Sequence, residues 1–142
     1  MYGDPYHGKM VDIWADIVDF ANSDNSPLFC MGDFNELLNA NEKFSTTTPI
    51  YNRISIFCSI VNDCGLIDLG YNGPAYTWTN RRFSSNPTFQ RLDRCLANFE
   101  WCRIFPYTNV YHLPLIYEDH APILAIPTSI KPIRKKQFKF EN

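Results

Sequence analysis

No stretch of this 142-residue chain approaches the roughly 18 uninterrupted apolar residues that a membrane-spanning helix needs. Its opening, Met1-Tyr2-Gly3-Asp4-Pro5, has neither the basic start nor the apolar run of a secretory leader, so an intracellular chain with no membrane partner is the expectation. There is no C-x-x-C pair. The five cysteines, Cys30, Cys58, Cys64, Cys95 and Cys102, are odd in number, which disfavours zinc and a disulfide framework and suits reduced thiols acting as apolar filler. Internal repeats and low-complexity tracts are missing too. So is a basic excess: 13 Lys and Arg stand against 15 Asp and Glu, a net charge of −2. The balance is uneven, because residues 131–142 hold five Lys/Arg and one Glu while residues 1–130 hold eight cationic and 14 acidic side chains. A module that grips duplex by electrostatics alone is normally basic, so an acidic body argues against that mode. Clustered carboxylates suit a metal-assisted site better, although a solvated surface is their commoner cause.

What is present is the material of one folded domain. Hydrophobic residues make up 45% and aromatics 15%, so the core is expected to be rich in rings. Met10, Ile13, Trp14, Ile17, Val18 and Ala21 recur at helical spacing, opposite Asp12, Asp16 and Asp19. Pro27 to Met31 is a short apolar run ending at Gly32, which reads as a buried strand. Residues 39–49 read as a loop, and Ile54, Phe57, Cys58 and Val61 predict a second helix that stops near Gly65. Beyond Gly65 the pattern turns to strands: Leu66–Leu69, Ala75–Thr79, Phe89–Asp93, Asn109–Leu113 and Pro122–Ile126, with a short helix over Leu96–Phe105. The expected class is α/β or α+β, with a domain over 1–127 and a basic linker or tail over 128–142.

Four polar clusters fall where strands end. In Gly32-Asp33-Phe34-Asn35-Glu36, Asp33 and Asn35 are two apart and share a side of extended backbone. A carboxylate that orients water beside an amide that meets a phosphate oxygen suits phosphoester hydrolysis, while a strand-end turn favours the same residues. In Glu118-Asp119-His120, the Asp–His pair can supply a metal carboxylate and a base or phosphate ligand. His7 and His112 read as surface or packing residues. In Arg91-Leu92-Asp93-Arg94, a buried Asp93 needs a partner, either a histidine whose tautomer it fixes or an arginine. Tyr76-Thr77-Trp78-Thr79-Asn80-Arg81-Arg82 offers aromatics, an amide and paired arginines to a phosphate backbone and stacked bases, or is simply an exposed hairpin.

Taken in order, Tyr2-Gly3-Asp4-Pro5, Gly32-Asp33-Phe34-Asn35, Thr77-Trp78-Thr79-Asn80, Arg91-Leu92-Asp93 and Asp119-His120-Ala121-Pro122-Ile123 resemble the endonuclease/exonuclease/phosphatase superfamily. Asn62 to Leu69 and Tyr76 to Arg82 look more closely like the apurinic-type endonuclease domain of plant LINE retrotransposons. Gln137 to Glu141 is similar to the segment that leads from that domain toward a reverse transcriptase. The resemblance implies a four-layer α/β sandwich, of which this chain is the C-terminal portion with the N-terminal half missing. It implies cleavage of DNA phosphodiesters with Mg²⁺ or Mn²⁺, nuclear DNA as the target, and a downstream reverse transcriptase in the parental element. Asp33 would handle the attacking water or leaving oxygen, Asn35 would help hold the transition state, and His120 would sit at the scissile phosphate, oriented by Asp93. Asp119 would be a metal ligand, with Tyr2, Asn80, Arg81 and Arg82 on the substrate. Two departures stand out: Glu118 occupies a position where members commonly have Ser, and the family's opening strand, with its metal-site Asn and principal Glu ligand, has no counterpart before Tyr2. The expectation is an inactive fragment. Its alternatives are another phosphoesterase acting on a small ester or lipid head group, or a non-enzymatic remnant that binds nucleic acid.

Overall fold

The computed structural model describes residues 5–130, with side chains from residue 12 onward, so Tyr2, the side chain of His7 and the basic segment 131–142 lie outside the described residues. In chain order the elements are α1 (Pro5–Ser23), β1 (Phe29–Asp33), a 3₁₀ turn (Ala40–Glu42), β2 (Lys43–Phe44), α2 (Tyr51–Asp63), β3 (Leu66–Asp68), β4 (Trp78–Thr79), β5 (Phe89–Gln90), β6 (Asp93–Asn98), α3 (Phe99–Ile104), β7 (Asn109–His112) and β8 (Ile123–Ile126). The architecture is mixed α/β, with three helices and small antiparallel sheets ordered β1-β6-β3, β2-β5-β4 and β7-β8.

The core lies where α1 and α2 meet the first sheet. Trp14, Ile17, Val18 and Ala21 form the inward stripe of α1, and Phe57 and Val61 that of α2. Trp14 lies 5.6 Å from both Phe34 and Phe57, centroid to centroid, with the Phe57 contact edge-on. Such ring pairs add about 0.5–1.5 kcal/mol to the burial itself. Ile13 was expected on the inward face but is half exposed, because a stripe centred on residues 14, 17, 18 and 21 turns position 13 about 100° away. Gly65, at φ +64°, ends α2 in the left-handed region that glycine adopts without strain, and β3 starts at the next residue.

Strand β6 is the centre of the first sheet and is buried at every position from Asp93 to Ala97. It corrects two expectations. The run Phe89–Asp93 is not one strand: β5 belongs to the second sheet and β6 to the first, and the chain changes sheets at Arg91-Leu92. The cause is a tertiary contact, since the Thr77 hydroxyl accepts the N–H groups of both Leu92 and Asp93 at 3.0 Å and takes them out of the β5 ladder. Nor does a helix begin at Leu96. Strand β6 runs on to Asn98, whose side chain accepts from the Trp101 N–H at 2.9 Å and caps α3. The stretch 39–49 is more than a loop. Asn39 and Glu42 form a reciprocal capping box, and β2 follows it.

Candidate active site

The site is built on a register. Asp33 ends β1, Asp93 begins β6, and the two are Cα partners in the ladder, so both carboxylates leave the same end of the sheet. His120 comes from elsewhere in the chain. An isolated antiparallel bridge pairs it with Trp78, and hydrogen bonds from Thr79 N–H to Asp119 C=O (3.0 Å) and from Ala121 N–H to Thr77 C=O (2.7 Å) hold that bridge. The imidazole then reaches the carboxylates: Nδ1 lies 2.9 Å from Asp93 Oδ2, and Nε2 lies 3.7 Å from Asp33 Oδ2. Because an ionised carboxylate can only accept, Nδ1 carries the proton toward Asp93 and Nε2 faces Asp33.

The electrostatics follow from this placement. Burial works against the imidazolium, but the hydrogen bond to Asp93 and the negative charges of Asp93, Asp33 and Asp119 outweigh it, and the His120 pKa is raised. Asp33 is also raised, chiefly by burial and by the like charge of Asp93, against the lowering effect of the Asn35 N–H. That N–H donates to Asp33 Oδ1 at 2.7 Å and closes a turn in which Asn35 takes φ +52°. The turn points the exposed Asn35 residue outward beside Asp33. Its carbonyl accepts from Arg53 Nη2 at 3.4 Å, and Arg53 is anchored on Glu36 at 2.7 Å.

The other sequence candidates are placed differently. The Asn80 side chain is committed to its own hairpin, accepting from Arg82 and Thr88 N–H and donating to Asn86 C=O at 3.0 Å, so its part is to shape the 81–87 tip. Arg81 and Arg82 are exposed on that tip, and Arg81 takes φ +58°. Asp119 and Glu118 are exposed next to His120. His112 is buried, stacked on Tyr71 at 4.2 Å, with Nδ1 2.7 Å from Pro74 C=O: a packing residue.

Beneath the site lies a cluster that sequence reasoning missed. Arg94, fully buried, and Arg91 share the carboxylates of Glu42 and Asp68 through contacts of 2.8–3.1 Å. Asp68 pairs with Arg91 in a bidentate fork; burial would raise its pKa, but the arginines hold it below the usual carboxylate range. Two cations and two anions cancel, which is what allows both arginines to be buried against carboxylates that stay partly exposed. A visible signal was the Arg-x-x-Arg spacing astride Asp93, but its partners sit 23 to 52 residues away.

Among the described residues no group of three His, Cys, Asp or Glu is arranged to hold a metal ion. The Asp33–His120–Asp93 arrangement turns its imidazole proton onto a carboxylate and does not converge three lone pairs on a point, so these residues do not fit a Mg²⁺ or Mn²⁺ site by themselves. No protein-family model, curated protein or solved structure matches the chain.

Proposed function

We propose that the chain carries the proton-handling side of a phosphodiesterase site of the endonuclease/exonuclease/phosphatase type, in the corresponding four-layer sandwich, and that its ancestral reaction is the nicking of DNA by a LINE-type retrotransposon endonuclease. The observation behind this reading is His120, held by Asp93 on one nitrogen and facing Asp33 with the other. Diester hydrolysis needs an acceptor for the proton of water and a cationic donor for the phosphoryl oxygens. Asp33, made more basic than usual, suits the first task, and His120, biased toward imidazolium, suits the second. Asp93 is the positioning residue between them and the protein. The exposed Asn35 is at hand for a phosphoryl oxygen, and Arg81 and Arg82 for the DNA backbone, which favours a polynucleotide over a small phosphate ester.

Mg²⁺ or Mn²⁺ is the cofactor that the resemblance implies. With no three-ligand group among the described residues, nicking by this chain alone is not expected, and the same observation favours, as a second reading, a remnant that binds DNA without cutting it. The test has two arms. NMR titration of His120 with and without a short DNA duplex should show its midpoint rising further on binding, because a phosphate at Nε2 favours the charged ring. A midpoint that DNA leaves unmoved removes the phosphodiesterase reading. In the second arm, supercoiled plasmid is incubated with Mg²⁺ and either the chain or its Asp33→Ala/His120→Ala double variant. Nicking abolished in the variant would restore an active nuclease, and nicking that survives in the variant would place the chemistry elsewhere.

A further inference from the structure

A cavity of about 180 Å³ opens beside Asn35. Its polar wall is Asn35, Lys43, Arg53 and Gln90, and Ile50 and Ile54 form part of its apolar side. Lys43 and Gln90 face each other as partners in the β2–β5 ladder, which fixes the Lys43 backbone at the cavity wall. Among the described residues Lys43 makes no ion pair. Arg53 spends Nε and Nη2 on Glu36 and the Asn35 carbonyl, and among the described residues Nη1 has no hydrogen-bond partner. Glu36 also lines the cavity and cancels Arg53, so the wall carries a net charge of one positive unit, that of Lys43.

We infer that this cavity is a subsite for a phosphodiester group one step along the strand from the group at His120, held by Lys43 with help from Arg53 and the Gln90 amide. The inference rests on the phosphodiesterase reading above and adds a second point at which the polynucleotide backbone is held. Two observations point that way. The cavity wall and the site share one turn, since Asn35 lines the cavity and donates its N–H to Asp33 of the site at 2.7 Å, which makes the two neighbours on the surface. The charge also matches: a single net positive unit balances the single negative unit of a diester better than the greater charge of a free phosphate. Arg53 has a second part here, because the guanidinium that lines the subsite also braces the Asn35 carbonyl, coupling occupancy to the turn that carries Asp33.

The test is fluorescence anisotropy of a labelled DNA oligonucleotide with the full chain over a range of salt concentrations, comparing wild type with Lys43→Gln, Lys43→Arg and His120→Ala, each checked for fold by circular dichroism. Losing one lysine–phosphate contact should lower the slope of log K against log salt by about one and weaken binding at low salt about tenfold. Lys43→Arg should restore both, and the Lys43→Gln effect should persist in the His120→Ala background. An unchanged slope in folded Lys43→Gln, or no binding of the oligonucleotide by wild type at low salt, overturns the subsite. So does displacement of the oligonucleotide by inorganic phosphate beyond its ionic-strength effect, which would assign the cavity to a free phosphate. A Lys43-dependent slope together with a His120 midpoint that DNA leaves unmoved keeps the subsite and removes the hydrolytic reading alone.

Discussion

Two charge clusters meet on four consecutive residues, and they are opposites. Arg91 and Arg94 turn inward to Glu42 and Asp68, where two positive and two negative charges pair with the arginines buried and the carboxylates largely screened from water. Asp93, between them, turns to the other side and joins Asp33 and His120, where two carboxylates share one imidazole and the surface is partly open. The closed cluster has no unmatched charge to offer a ligand. In the open one, Nε2 of His120 stands 3.7 Å from Asp33, too far for a hydrogen bond and close enough for a field. Within β6 the pleat sends Asp93 and Arg94 to opposite faces, while Arg91 joins the closed cluster from the crossing between sheets, outside that strand.

Breaking the closed cluster should have the largest effect. Arg94→Ala leaves Glu42 and Asp68 short of a cation inside the protein and should cost about 3–5 kcal/mol, read as a fall in the denaturation midpoint. A loss below about 1 kcal/mol would mean that water reaches the vacated space and the cluster is not sealed. The link between the clusters comes next. Thr77→Val removes the acceptor for two buried N–H groups and should cost about 1–3 kcal/mol. It should also lower the His120 titration midpoint as Asp93 loosens, whereas a purely structural loss would leave that midpoint in place.

Acidity separates the clusters in sign. Asp68 is depressed, so its contribution is present above the ordinary Asp value of 3.8 and is lost as pH falls through its lower folded value. His120 is raised, so its contribution is complete below the ordinary 6.5 and is lost as pH rises through its higher folded value. Stability measured against pH should therefore show a neutral-side decline that disappears in Asp93→Asn, while the acid-side decline stays. The smallest effect is expected at Glu118. It is exposed, and Glu118→Ser should tighten oligonucleotide binding by at most about fivefold, because charges in water are well screened. A larger gain would place that carboxylate against the bound phosphates.

The open cluster was legible in the sequence for a reason that the closed one lacks. Asp33, Asp93 and His120 each sit at the edge of an apolar run, and strand ends are where a sheet can gather polar groups from distant segments. Glu42 and Asp68 show no such sign: Glu42 lies in a stretch that reads as loop, and Asp68 looks like the polar end of a short strand. Their partnership with Arg91 and Arg94 exists only once β2, β3 and β6 are assembled. The break between β5 and β6 was hidden for a related reason, since a hydroxyl fourteen residues before Arg91 decides where the ladder stops. Local pattern fixes the elements, and the tertiary hydrogen bonds set their ends.

Thr77 binds Leu92 and Asp93 through its hydroxyl and Ala121 through its carbonyl, so one residue tethers both halves of the Asp93–His120 pair. In mechanical terms the pair and the hairpin that begins there form one lever. A shift of Thr77 would therefore carry the aspartate and the imidazole together, with their 2.9 Å contact inside the moving unit. Asp33 belongs to the same frame, because it faces Asp93 directly in the β1–β6 ladder and the next residue, Phe34, donates its N–H to the Leu92 carbonyl at 3.0 Å, so a change at Thr77 reaches all three site residues.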